Sequence, residues 1–195
     1  MNSQTTLREA EPGSRLPAPD PDLRQLQGFV NTIDIEGEED ELRTPARASA
    51  WLAAAGLAPV ATRVTAADHA RLLAMREGFR ALGAANNGQL LADDDRVAFN
   101  DAVASVPMTA SVEADGRWSL RSSGGAIDQV LARLLGTLDR SMADGTWSRM
   151  KACRNHGCRW LFWDASRNRS GTWCTMAICG SRQKARDYRA RRRSA

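Results

Sequence analysis

Four cysteines, Cys153, Cys158, Cys174 and Cys179, are all the thiols of the 195-residue chain, and they share its last quarter with the spacing C-x4-C-x15-C-x4-C. Two close pairs joined by a short span can bring four thiolates to one tetrahedral cation, and soft sulfur donors favour zinc over hard cations. Four metal-free buried thiols would need an apolar core around them. These cysteines lie in a polar, Arg-rich segment too small to bury a core of its own. The first twenty residues carry no apolar stretch of a secretory type, which points to the cytoplasm, where thiols stay reduced; two disulfides are the weaker reading. Iron–sulfur ligation uses the same donors and ranks behind one structural Zn2+. His156, between the first two ligands, reads as an exposed turn histidine rather than a substitute ligand.

Such a site needs elements to hold it. Asn155, His156 and Gly157 suit a turn inside the first pair. Trp160 to Trp163 suits a strand, Arg167 to Gly171 a turn, and Thr172-Trp173 a second strand, and from about Thr175 the chain turns helical. Knuckle, hairpin and helix in that order make a treble-clef-like finger with Cys179 in the first turns of the helix. Trp160, Trp163 and Trp173 are expected to form its small core rather than stack on bases. Four thiolates and Zn2+ carry a net charge of −2, which Lys151, Arg154, Arg159 and Arg182 can offset.

The last helix has its own chemistry. Arg182, Arg186, Arg189 and Arg193 recur at i, i+4, i+7 and i+11, along one face, with Lys184 beside them. Ile178, Ala185 and Tyr188 fall on the neighbouring face and are expected to pack on the hairpin. A row of guanidinium groups matches phosphates and can reach guanine edges. From Lys151 to Ala195 there are twelve Lys or Arg against two acids, whereas the other 150 residues hold 15 basic and 21 acidic ones. An acidic body with one basic end is the charge pattern of a nucleic-acid-binding appendage; a merely solvated basic tail is the plainer alternative.

The body is expected to be mainly helical. Leu23, Leu26, Phe29, Val30 and Ile33 keep helical spacing, and the acidic run Glu38 to Glu41 after Gly37 reads as a loop. Pro45 opens a helix through Ala48, Trp51, Leu52 and Ala55, stopped by Gly56. Thr65 and Asp68 form a capping box for a longer helix through Leu72, Leu73, Met75, Arg76, Phe79 and Leu82, ended by Gly83, Asn86, Asn87 and Gly88. Asp93 to Asp95 open another, through Val97, Phe99 and Val103, that Pro107 stops. Thr109 to Glu113 and Arg117 to Arg121 read as a β-hairpin with a two-residue Asp115-Gly116 turn. A last strong helix runs through Ile127, Val130, Leu131, Leu134, Leu135 and Leu138 to near Gly145. The expected fold class is thus a mainly α, α+β N-terminal domain with a β-hairpin, followed by the small four-cysteine finger. The expected divisions are a flexible tail at 1–22, the helical domain at 23–146 and the finger at 147–195. The short join between the last two implies that they pack together.

Several of these residues also carry a family resemblance. Cys153-x4-Cys158, Trp160-Leu161-Phe162, Asp164, Ser166-Arg167-Asn168, Trp173-Cys174, Met176, Cys179-Gly180 and Arg182 resemble the CGNR zinc finger. Phe29 to Asp34, and Trp51-Leu52 to Gly56-Leu57, resemble the ABATE domain that usually precedes that finger. The resemblance spans roughly residues 25–193. It implies stress-induced transcription regulators with a sensor or scaffold domain and a DNA-binding finger. Two departures from the pattern occur: Ser181 replaces the name-giving Asn, and Gly171-Thr172 stand where basic residues often precede Trp-Cys.

Other classes recede. His69 stands alone, no nucleophile motif or Gly-rich phosphate loop occurs, and four cysteines leave no open metal position for catalysis, so a non-enzyme is expected. No apolar run approaches the ~20 residues of a membrane span. The expected partners are therefore DNA, with a protein-interaction adaptor or an RNA-binding accessory protein as alternatives. Asn31, Asp34 and Arg76 are candidates for a polar pocket that takes a small-molecule effector. A helix-end hydrogen-bond network and an ordinary ion pair are the simpler readings of the three. A homo-oligomer fits one small finger, though no residue specifies it.

Overall fold

A computed structural model describes residues 16–193. Helix α1 spans Pro21–Val30, capped by the Asp20 side chain and opened by proline. Two short strands, β1 (Ile33–Asp34) and β2 (Glu39–Asp40), pair antiparallel. Helices α2 (Pro45–Ala54), α3 (Ala66–Ala85) and α4 (Asp93–Ala104) follow. Strands β3 (Met108–Val112) and β4 (Trp118–Ser122) form the hairpin, and α5 (Ala126–Ala143) completes the body.

Several expectations hold: the Thr65–Asp68 capping box, the proline start of α2 and the α5 core stripe are all present. Four differ, each for a physical reason. The acidic run is not simply a loop, because Glu39-Asp40 pair with Ile33-Asp34, so Ile33 belongs to a strand beyond α1. Gly83 does not end α3, which continues to Ala85. The β3–β4 connection holds three residues rather than two. The Glu113 N–H reaches Arg117 O, the Gly116 N–H reaches Glu113 O, and Gly116 takes φ +81°, the geometry of a type I turn with a glycine bulge. Finally, residues 16–20 are docked rather than a loose tail: Ala18 is buried, and the Trp163 N–H donates to Leu16 O. The part of the expected tail at residues 1–15 lies outside the described residues.

Helix α3 is the axis of the core. Phe79 packs edge-on to Phe29 of α1 and Phe99 of α4, with centroids 6.5 and 5.4 Å apart. Leu72, Met75, Val130, Leu131 and Leu134 fill the same cluster. That cluster does not stop at the body. It takes in Trp147, Met150, Ala152 and Leu161, all from the cysteine-bearing segment.

Candidate metal centre and its basic helix

The segment begins with a 3-10 turn, Thr146–Arg149, then β5 (Met150–Ala152) and β6 (Leu161–Trp163). These two strands pair antiparallel, Ala152 opposite Leu161, with the Cys153 N–H donating to Trp160 O. So the hairpin partner of Leu161–Trp163 is the strand before the first cysteine, not Thr172-Trp173 as expected. The knuckle Asn155-His156-Gly157 closes that hairpin, with the Cys158 and Arg159 N–H groups both on Asn155 O. To that hairpin Thr172 offers one backbone bond, its carbonyl accepting from the Arg154 N–H. Strand alternation then divides the two faces, so that Leu161 points into the body core, whereas Phe162 packs on the cysteines.

All four cysteines are buried and their sulfurs lie within 4.8 Å of one another. Cys158 Sγ is 3.6 Å from Cys174 Sγ, which is 3.7 Å from Cys179 Sγ. A tetrahedron of Zn–S bonds about 2.3 Å long has edges of roughly 3.8 Å. The donor set therefore fits one structural zinc. Ionisation points the same way. Hydrogen bonds from Cys158 and Cys174 bring the Cys153 thiol down to about 4, while Cys158 and Cys174 are pushed up beside it. One thiolate can be shared by its neighbours, but the rest need a cation before they ionise. Asn155 Nδ2 donates to Cys179 Sγ at 3.5 Å, a bond suited to a metal-bound thiolate. Trp160 and Trp173 pack on the cluster and Trp163 on the body core, while His156 is exposed.

Around the cysteines a second buried site braces the hairpin. Lys151 Nζ donates to Asp164 Oδ2 at 2.7 Å and to the carbonyls of Arg169 and Gly171. Burial pushes the Asp164 carboxyl up. Its bonds from Lys151, the Ser166 side chain and the Ser166 and Gly171 N–H groups outweigh that and bring it to about 2. Lys151 is thus spent on Asp164, and only its neighbours remain to offset the thiolates.

A turn of π-helix, Met176–Gly180, carries Cys179 and leads into α6, Ser181–Arg193. Thr175 caps it, its side chain accepting from the Ile178 N–H. Ser181 Oγ donates to Met176 O, which closes the join. Helix α6 buries none of its residues. Ile178 and Tyr188 are exposed, so the expected packing of that face on the hairpin is absent. The reason is that Phe162, Trp160 and Trp173 already cover the cysteines. Arg182 pairs with Glu36 in the β1–β2 turn. Among the described residues no carboxylate forms a salt bridge with Lys184, Arg186, Arg189 or Arg193. Among the described residues the Arg186 side chain bonds to Gln183 and that of Arg189 to Ala185 O.

The three candidate pocket residues serve other ends. Asn31 Nδ2 donates to Leu161 O and Asn31 Oδ1 accepts from the Leu161 N–H, both at 2.8 Å, clamping β6 as a strand would. Asp34 Oδ1 accepts from the N–H groups of Glu36 and Gly37. Arg76 is buried and grips Asp40 with two bonds of 2.7 and 2.9 Å, and also reaches Thr32. Burial raises the Asp40 carboxyl, and Arg76 with the Leu42 N–H brings it net below its ordinary value. Asn31 is a clamp, Asp34 a turn organiser and Arg76 an anchor, with none of these bonds pointing at a shared cavity.

Sequence reasoning passed over a further set. Arg80 is 0% exposed, and it donates to Glu77, to Val30 O at 2.6 Å and to Arg159 O at 2.9 Å. Arg159 has φ +48°, so Arg80 fixes the left-handed corner behind Cys158. Asn86 donates to the carbonyls of Trp147 and Met150, Asn87 to those of Ala152 and Thr172, and Gln27 to Leu161 O. The Asn-Asn pair reads as a helix stop, yet it also ties the body to the finger.

Two family models cover the chain in this order. The ABATE model, described as "Putative stress-induced transcription regulator", matches residues 24–145, and the CGNR zinc finger model matches residues 149–192. No curated protein matches the chain significantly. No helix among the described residues is long and apolar enough to cross a membrane. With its body matched by the first model and its four-cysteine zinc centre lying inside the second, the chain belongs to the ABATE family and ends in a CGNR zinc finger.

Proposed function

We propose that the chain is a cytoplasmic, non-enzymatic transcription regulator that docks α6 on duplex DNA. The observation that carries this reading is the state of α6. Seven of its thirteen residues are Lys or Arg, one is acidic, none is buried, and the turn that leads into it carries the ligand Cys179. A helix that buries no residue gains little from tertiary packing, and clustered positive charge disfavours it in isolation. A polyanion removes that repulsion. The family description, a transcription regulator, agrees with such a role. The face from Arg182 to Arg193 runs roughly 16 Å along the axis at about 1.5 Å per residue, enough to cross several phosphates.

The test is fluorescence anisotropy of the zinc-loaded full chain on labelled duplex DNA across a salt series. Four phosphate contacts from Arg182, Arg186, Arg189 and Arg193 would give a slope of log affinity against log salt of about −3 to −4. A flat salt response would instead favour an adaptor that docks an acidic protein, and preference for single-stranded or A-form RNA would favour an RNA-binding role. Asn31, Asp34 and Arg76 each bond to the chain around them, and this reading assigns them no effector.

A further inference from the structure

We propose that the β1–β2 turn is an autoinhibitory strap that occupies Arg182 of α6 and competes with nucleic-acid phosphate for it. This rests on the reading of α6 as the polyanion-binding helix. Residues 34–41 carry six carboxylates in eight positions, Asp34, Glu36, Glu38, Glu39, Asp40 and Glu41. The strap meets the basic helix at one residue pair, Glu36 with Arg182, both about half exposed.

The strap is presented, not merely nearby. Asp34 Oδ1 gathers the N–H groups of Glu36 and Gly37 at 3.1 and 3.2 Å, which fixes the turn that carries Glu36. A Cβ on Gly37 would lie 3.3 Å from Asp34 Oδ2, so the turn closes tightly there. Glu38 adopts φ +53°, which bends the chain back toward β2. Downstream, buried Arg76 holds Asp40 bidentately, tying the strap to α3. A carboxylate fixed at both flanks loses little freedom when it pairs with Arg182. An exposed pair is nonetheless weak, so phosphate can displace it. The strap therefore sets a threshold in which a ligand must first neutralise Arg186, Arg189 and Arg193, and then outcompete Glu36. The remaining carboxylates repel an approaching phosphate backbone and reinforce that threshold.

The experiment measures binding of two probes, a random-sequence 20-base-pair duplex and inorganic polyphosphate, to the full zinc-loaded chain. The variants are Glu36→Gln, Arg182→Ala and the double variant. With Glu36→Gln, affinity should rise about two- to fivefold at low salt. Its salt slope should stay that of the parent, because the same four guanidinium groups meet phosphate once Glu36 is displaced. In the Arg182→Ala background Glu36→Gln should leave affinity unchanged. If the parent binds DNA but Glu36→Gln does not raise affinity, or raises it equally without Arg182, the strap is overturned and the DNA reading stands. If DNA is not bound while polyphosphate shows the Arg182-dependent gain, the strap stands and the DNA reading falls. If no variant binds either probe, both fall.

Discussion

At the scale of single residues, the finger is governed by buried polar groups whose partners are fixed, and Asp164 is the sharpest case. Its carboxylate is the counter-charge of a buried lysine and also organises the loop to Gly171. Asp164→Asn would leave Lys151 buried without its counter-ion, at a cost of about 3–5 kcal/mol in urea unfolding. The same pair has a pH signature. A carboxyl lowered from 3.8 to about 2 in the folded state contributes roughly 2 kcal/mol above the unfolded value, and that contribution fades as pH falls from about 4 to 2. The stability gap between parent and Asp164→Asn should therefore be full at neutral pH and narrow below pH 4. A gap that stayed constant down to pH 2 would mean that the carboxylate is not what Lys151 needs. Ser181 poses a milder question, since its hydroxyl bonds only Met176 O at the start of α6. Ser181→Asn, which restores the residue that gives the CGNR finger its name, should keep or strengthen DNA affinity by anisotropy.

At the scale of elements, the junction of α3 with β5 and β6 decides how the finger sits. Gly83 lies where a Cβ would come 2.4 Å from Leu161 Cδ1 and 3.3 Å from the Ala152 nitrogen. Alanine would ordinarily favour a helix interior by about 1 kcal/mol. Here overpacking of a buried leucine and a strand backbone should prevail, so Gly83→Ala is expected to destabilise by about 1–3 kcal/mol. Adding Leu161→Val should recover part of that loss; a stabilised single variant would refute the close approach. This junction also marks how far the sequence could be read. The cysteine spacing, the capping box at Thr65 and the apolar stripe of α5 are local signals, and each survives in the structure. The roles of Asn31, Arg80, Asn86 and Asn87 depend on partners 50 to 130 residues away, for which a single sequence carries no signal. Gly83 and the Asn pair look like helix stops for the same reason. Glycine and asparagine serve chain ends and close packing alike, and only the packed neighbour tells which. Pairing of β5 with β6 was likewise hidden, because Met150 to Ala152 is too short to show alternation. On α6 the elements act separately, so Arg189→Ala should weaken binding to all DNA sequences alike and lower the salt slope by about one. Arg182, nearest the metal, should affect sequence preference as well, by about 1–3 kcal/mol at one base pair.

At the scale of the whole molecule, the finger and the helical body share one interior, so the zinc ought to be felt throughout. Small metal domains often fold and unfold on their own, and the spacing of the cysteines alone suggests that Cys174→Ser would melt only the last 45 residues. The packing argues against that separation. Met150, Ala152 and Leu161 lie in the same cluster as Phe29, Phe79 and Leu134, and side chains of Gln27, Asn31, Arg80, Asn86 and Asn87 reach finger backbone. If the metal is lost and β5 and β6 detach, at least two fully buried apolar side chains are exposed, at about 1.5–3 kcal/mol each. The buried guanidinium of Arg80 loses its bond to Arg159 as well. Against a domain stability of about 5–15 kcal/mol, that is a large fraction. Elemental analysis should find about one zinc per chain in the parent and markedly less in Cys174→Ser. Far-ultraviolet circular dichroism, which follows the helices, and tryptophan fluorescence in a Trp51→Phe, Trp118→Phe background, whose remaining tryptophans lie at 147, 160, 163 and 173, should then melt together with the zinc bound. In Cys174→Ser or after chelation both should shift down, on the order of 10 °C. Helices that kept the parent's melting temperature after the metal was gone would show that the shared core is not cooperative. The body would then be a separate folding unit to which the finger is merely attached.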